Sequence, residues 1–127
     1  MGAAATRPYL VRHLRDAAVV ACPCGVSHRI FTRADTPVAN LHVTEITDSR
    51  KHFHRKSSEY YYILEGSGHM ELGDDVIPVE PGTAVIIPPG TAHRAYGNLK
   101  ALIVVIPAAE HGDEYFADAG QGPAQTR

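Results

Sequence analysis

From residue 28 to residue 106 the chain breaks into short runs rich in β-branched and aromatic residues. Gly, Pro, Asp and Asn separate these runs at intervals of roughly eight to twelve residues. That rhythm confines the fold to an all-β sandwich or barrel. Strands are predicted at 28–33, 38–47, 51–54, 59–65, 68–72, 75–79, 84–87, 92–96 and 100–106. Gly66-Ser67-Gly68, Gly73-Asp74-Asp75, Glu80-Pro81-Gly82 and Pro88-Pro89-Gly90 supply the tight reversals, so the pairing should be by antiparallel hairpins. The run 101–107 is apolar on both faces. One face suits a barrel interior and the other a partner subunit or the N-terminal segment, which makes a homodimer the expected assembly.

Within this β pattern lie three imidazoles and a carboxylate. His52 and His54 are two residues apart, the spacing that puts side chains on one face of a strand, whereas a helix would need three or four. Glu59 follows closely, and His93 comes after the Pro88-Pro89-Gly90 turn. Three neutral imidazole nitrogens and one anionic oxygen suit a divalent first-row ion and leave coordination positions open. Open positions distinguish chemistry from a structural staple.

The stretches "HFHRKSSEYYYILEG" and "GTAVIIPPGTAHRAYGN" resemble the two motifs of the cupin family. His52, His54, Glu59 and Gly66 meet the first motif; Gly82, Pro88, Gly90 and His93 meet the second. Two positions depart from the pattern: Ile46 stands where a glycine is expected before His52, and Asn98 lies one residue late. The resemblance implies a single-domain cupin-type jelly-roll β-barrel with a metal inside. It implies that His52, His54, Glu59 and His93 are the ligands, and that the ion is iron, manganese, zinc or nickel.

Strand parity after Glu59 predicts that Tyr61 and Ile63 face inward with it, while Tyr60, Tyr62 and Leu64 face out. Tyr61 can orient Glu59 or donate to a metal-bound ligand. Ala95 and Gly97 share the parity of His93 and are expected to leave room beside the metal. Arg29, Arg33, His42 and Arg94 are the candidates for an anionic substrate. Among them His42, placed mid-strand, is also a candidate general base. The expected catalytic set is therefore Glu59, His42 and Tyr61.

Composition narrows the remaining classes. With 127 residues the chain has room for one domain, read as an arm over 1–27, a barrel over 28–107 and a C-terminal tail over 108–127. The net charge of −2, with both signs interspersed, offers phosphate backbones no basic stripe, so nucleic acid is not an expected partner. No apolar run approaches a membrane span, and a cytoplasmic location is expected. Cys22 and Cys24 flank a single proline. They read as two small, reduced residues at a turn before a strand.

Three functions compete at this point. One is a dioxygenase-like oxidoreductase acting on a small molecule through an iron-type centre. The second is a metal-assisted isomerase or lyase working on a sugar or oxo acid. The third is a non-catalytic module that binds a small molecule or metal.

Overall fold

The computed structural model describes residues 7–117. After a 3-10 turn at Leu14–Asp16 come β1 (Ala18–Cys22), β2 (Gly25–Phe31), β3 (Asn40–Asp48), β4 (His52–Phe53) and β5 (Ser58–Leu72). These are followed by β6 (Asp75–Val79), β7 (Ala84–Ile87), β8 (His93–Ile106) and β9 (Tyr115–Phe116). They form one nine-stranded antiparallel sheet in the order β1-β2-β3-β8-β4-β9, and β5 joins β6, β7 and β8. The sheet curls on itself as a jelly roll. The two long strands, β5 and β8, are its spine, because each pairs with partners at both of its ends.

Antiparallel register places directly paired side chains on the same face, which sorts the interior into rows. One row runs Asn40, Val105, Glu59, Ile87; the next runs Arg29, His42, Ile103, Tyr61, Val85; the third runs Ser27, Thr44, Ala101, Ile63. Tyr61, Ile63, Ala101, Ile103 and Val105 belong to the apolar core, with Ile46, Met70 and Leu99. Alternation along β5 is as the parity reading required: Glu59, Tyr61 and Ile63 are buried, Tyr60, Tyr62 and Leu64 exposed.

The turn at Gly66-Ser67-Gly68 does not exist. Residues 59–65 and 68–72, expected as two strands, are one strand, and so are 92–96 and 100–106. The glycines serve a different need. At Gly66, where φ is +85°, a Cβ would overlap Asn98 O; at Gly68 it would overlap Tyr96 O; and at Gly97 it would press on Gly68 Cα. These three positions let the spine strands approach closely where their register shifts after Ile63. The Gly73-Asp74 hairpin and the turns at residues 80–83 and 88–91 are present.

β1 and β9 lie outside the nine predicted strands, β1 within the arm or strand expected over 1–27. β1 is a short edge strand whose pairing with β2 begins at Ala18↔Arg29 and ends at Cys22↔Gly25. Cys22 and Cys24 are joined by a disulfide across this hairpin, a correction to the expectation of reduced thiols. The hairpin brings their Cα atoms to 5.1 Å, inside the range a disulfide spans. Ile46, at the site of the missing motif glycine, is 1% exposed in the core, so an apolar contact has replaced a turn. The expected tail from residue 108 also differs. Residues 108–117 are packed on the barrel and carry β9, while 118–127 lie outside the described residues.

Candidate metal centre

Each of the four spaced residues is delivered by a different structural constraint. His52 and His93 face each other as register partners across β4 and β8. His54 lies just beyond β4, where its carbonyl accepts the Gly90 amide at 2.6 Å, so the Pro88-Pro89-Gly90 turn holds the chain at this point. Glu59 enters from β5. Its Oε1 lies 3.2 Å from His54 Nε2 and 2.9 Å from His93 Nε2. All four ligand atoms fall within 4.8 Å of one another, and every one of the four residues is buried.

The ring orientations follow from the Nδ1 partners. His52 Nδ1 bonds Arg50 O at 2.7 Å, His54 Nδ1 bonds Asp113 O at 2.7 Å, and His93 Nδ1 bonds Thr91 O at 2.9 Å. A carbonyl only accepts, so each Nδ1 carries the proton and each Nε2 presents its lone pair to the common centre. This is the backbone version of the outer hydrogen bonding that fixes metal-bound histidines. Burial, followed by repulsion from His93, pushes the His52 pKa down to about 3, which keeps that imidazole neutral as a ligand must be. Burial by itself would raise Glu59, but the close approach of the His54 and His93 rings outweighs it and holds the carboxyl well below its usual range. Glu59 Oε1 and His93 Nε2 are buried without a hydrogen bond, a costly arrangement of about 1–3 kcal/mol for each such group that an ion between them relieves. The donor set, its convergence and its protonation are compatible with one divalent metal ion.

The other expected site residues separate. Tyr61 is buried and meets the His93 ring edge-on, 6.2 Å between centroids. His42 is buried in the adjoining interior row, where its Nε2 bonds Asn40 Nδ2 at 3.1 Å. Asn40 Oδ1 accepts the Ala109 amide, which fixes the amide nitrogen toward His42. His42 Nε2 is thus an acceptor and its proton sits on Nδ1. Arg94 turns away into ion pairs with Glu71 at 2.8 Å and Asp48 at 2.7 Å. Arg33 is held by Ala108 O and by Glu110. Ala95 is in the core, but Gly97 lies at the strand crossing and not beside the metal ligands.

Spacing gave no sign of what residues 108–117 contribute. Asp113 accepts the Arg55 and Lys56 amides through its carboxylate while its carbonyl orients His54. Glu114, fully buried, brings Oε1 to 3.8 Å from His52 Nε2. In β9 Phe116 is the register partner of His52 and Tyr115 that of Phe53, with Tyr115 stacked on Phe53 at 5.3 Å and the Arg50 guanidinium 3.7 Å above the Phe116 ring. A positive φ at Gly112 was the available local cue, since it turns the chain back onto the barrel.

Residues 39–106, which hold all four centre residues, match the family model described as a cupin domain. The chain belongs to the cupin family. A protein from Planctomyces limnophilus superposes with a TM-score of 0.79 at 32% identity, covering 89% of this chain and all of that one. The nucleoside dehydratase Pac13 of Streptomyces superposes at 0.77 with 16% identity, covering 93% of this chain and 98% of its own, a likeness of fold. Among curated relatives, a glucose-6-phosphate isomerase of Thermococcus gammatolerans is 38% identical over 76 residues, which is 53% of this cupin and 40% of the isomerase. A protein of Methanocaldococcus jannaschii is 42% identical over 66 residues, 49% of this chain and 53% of its own. The cupin described here therefore spans about half, or less, of the length of these curated relatives. Family members bind small-molecule substrates, and this chain shares their fold and a metal-compatible centre. No helix among the described residues is long and apolar enough to cross a membrane.

Proposed function

We propose that this cupin is a metal-dependent enzyme that moves protons on a small oxygen-rich molecule, as an isomerase or lyase does. The observation that carries the proposal is the convergence of three Nε2 lone pairs and the Glu59 carboxylate, each imidazole locked by its Nδ1 partner. His52, His54, Glu59 and His93 would hold one iron, manganese, zinc or nickel ion. When bound, such an ion polarises a carbonyl or hydroxyl oxygen and so acidifies neighbouring protons. Around it the chain's own groups divide the work. Glu59 keeps a negative charge at the centre, the Tyr61 phenol orients the reacting group from beside His93, and His42 donates through Nδ1–H rather than acting as the base that its sequence position suggested. Phe116, the register partner of His52, screens the site from water. The likeness to archaeal glucose-6-phosphate isomerases supports proton transfer over oxidation as the first choice.

Dioxygenase-like chemistry is the second reading, favoured by an all-nitrogen-and-oxygen donor set that also suits iron(II) with open positions. One experiment separates the two. Metal-reconstituted protein is incubated in deuterated water with sugar phosphates and 2-oxo acids while deuterium incorporation and oxygen uptake are followed. The isomerase or lyase reading expects carbon-bound deuterium with manganese or zinc, none without metal and no oxygen uptake. Oxygen uptake confined to the iron form, with no exchange, would replace it by the oxygenase reading. Binding without either signal would leave the non-catalytic module.

The assembly belongs to the same proposal. Tyr60, Tyr62 and Ile86 are 44%, 46% and 63% exposed and lie together on the outer face of β5 and β7, the kind of apolar surface a second copy would cover. Sedimentation of wild type against Tyr62→Glu tests a homodimer, which the substitution should dissociate. A cytoplasmic location is likewise proposed, to be read from fractionation of the source cells.

A further inference from the structure

We propose that the Cys22–Cys24 disulfide is a thiol–disulfide exchange site for a dithiol reductant, and that its redox state sets how firmly His52 is held. The second half rests on the reading of His52 as a metal ligand. The two cysteines flank Pro23 at the tip of the β1–β2 hairpin, where Cys22 and Gly25 are the last register partners. Their link closes a small covalent ring that contains the Pro23–Cys24 peptide group. β1 is the outer strand of the sheet order and Cys22 is half-buried, so the link is open to a reagent from the edge of the sheet. Cys24 is the more buried of the two.

The hairpin tip is tied to the metal centre through one residue. The Pro23 carbonyl, which lies inside the covalent ring, accepts the Arg50 amide at 3.0 Å. The Arg50 carbonyl in turn accepts the His52 Nδ1–H at 2.7 Å. Ser49, immediately before, is pinned to Ala95 of β8 through both its amide and its hydroxyl, so a shift of the Arg50 peptide is passed on toward His52. The Arg50 guanidinium, over the Phe116 ring, carries the same link to β9. On the other side of the tip, a Cβ at Gly25 would overlap Glu45 O. That close seating keeps β2 in place, and the freedom released by opening the ring falls on the Pro23–Cys24 peptide.

A purely structural role fits this link poorly. A disulfide stabilises a fold mainly by closing a long loop in the unfolded chain, and this one spans a single intervening residue. In the cytoplasm, the location proposed above, the disulfides that form are mostly transient, catalytic or redox-sensing. The exchange itself is balanced by the dithiol. One of its thiolates attacks Cys22 Sγ, the S–S bond breaks, and Cys24 leaves as a thiolate. The second thiol of the reagent then attacks the mixed disulfide, releases Cys22 and closes a disulfide of its own. Two electrons and two protons end on Cys22 and Cys24, and the dithiol is oxidised in their place. With the ring open, the Pro23 carbonyl is free to turn and the Arg50 amide loses a fixed acceptor.

The test equilibrates the full chain without oxygen in mixtures of reduced and oxidised dithiothreitol, alkylates free thiols and weighs the product by mass spectrometry. After removal of the reagent, manganese is titrated into the oxidised and the reduced chain. Reduction of the native chain should expose both thiols to alkylation, and the reduced form should bind manganese about 3- to 10-fold more weakly, the lower end of what loss of an outer hydrogen bond does to a metal site. In the metal-free chain, the nitrogen NMR signals of the His52 ring should shift between the two forms. Those of His54 and His93, anchored on Asp113 and Thr91, should move less. Cys22→Ser with Cys24→Ser should behave as the reduced chain does and ignore the reagent. The two wild-type forms need no substitution, so they decide the question even where that variant does not fold. A link that does not form from the oxidised reagent, or thiols alkylated only after denaturation, overturn the exchange site. Equal manganese affinity with an unmoved His52 ring overturns its tie to the centre. Manganese binding by neither form overturns the metal reading instead, and the His52 ring signals still read the tie.

Discussion

The two polar walls of the barrel interior are built by opposite rules. On the metal side every imidazole is tied through Nδ1 to a backbone carbonyl, and the Nε2 atoms and the Glu59 carboxylate converge on a common centre. On the β2–β3 side, two hydroxyls, those of Ser27 and Thr44, are buried with no hydrogen-bond partner among the described residues. The first wall is pre-organised for a fixed ion. The second keeps two hydroxyls, Ser27 and Thr44, that no described side chain satisfies. A metal site needs fixed ligands because its bonds are short and directional.

The largest difference should appear on removing a ligand. His93→Ala deletes one of three nitrogens and should lower metal affinity by more than about 100-fold, beyond the usual loss for an outer-shell change, as read by isothermal titration. Acid comes next. The folded chain holds His52 neutral to about pH 3, against an ordinary value of 6.5, so between these limits the unfolded chain binds the extra proton. Stability is therefore fully present above about pH 6.5 and drains away as pH falls toward 3. Melting temperatures of the metal-free protein should fall across that window. A flat profile would mean that His52 is not buried neutral.

Smaller effects sharpen the contrast. Asp113→Ala removes the acceptor of the Arg55 and Lys56 amides and frees the segment whose carbonyl orients His54. It should cost about 1–3 kcal/mol of stability and about 10-fold in metal affinity, measured by denaturation and by titration. Thr44→Val should be the mildest change. Because its hydroxyl has no protein partner, the metal-free protein should be unaffected or stabilised by up to about 1 kcal/mol, where a partnered hydroxyl would show a loss of similar size. Thr44→Val thus tests the distinction from the weak side, as His93→Ala does from the strong side.

How much was legible in the sequence follows the same division. The ligand set was readable because metal coordination restricts residue type and strand parity restricts position, so His52, His54, Glu59 and His93 stand out within a run of forty-odd residues. Inward parity on β5 was readable for the same reason. What escaped depends on long-range placement. Asp113 and Glu114 reach the site because β9 pairs with β4, a contact spanning some sixty residues that no local spacing reports. Gly66 and Gly68 looked like a turn because glycine supplies both reversal and close approach, and only the neighbouring strand decides between them. Ser27 and Thr44 look like ordinary strand residues until the register shows them side by side in the interior. The cysteines illustrate the limit of counting: two thiols either side of one proline suggested no framework, yet the hairpin brings them together.

The most direct measurement is the metal content of the chain purified without chelator or immobilised nickel, beside His52→Ala prepared in the same way. One divalent ion per chain in the wild type, and almost none in the variant at unchanged secondary structure, is the expected result. Equal metal content in the two proteins would contradict the assignment of the centre.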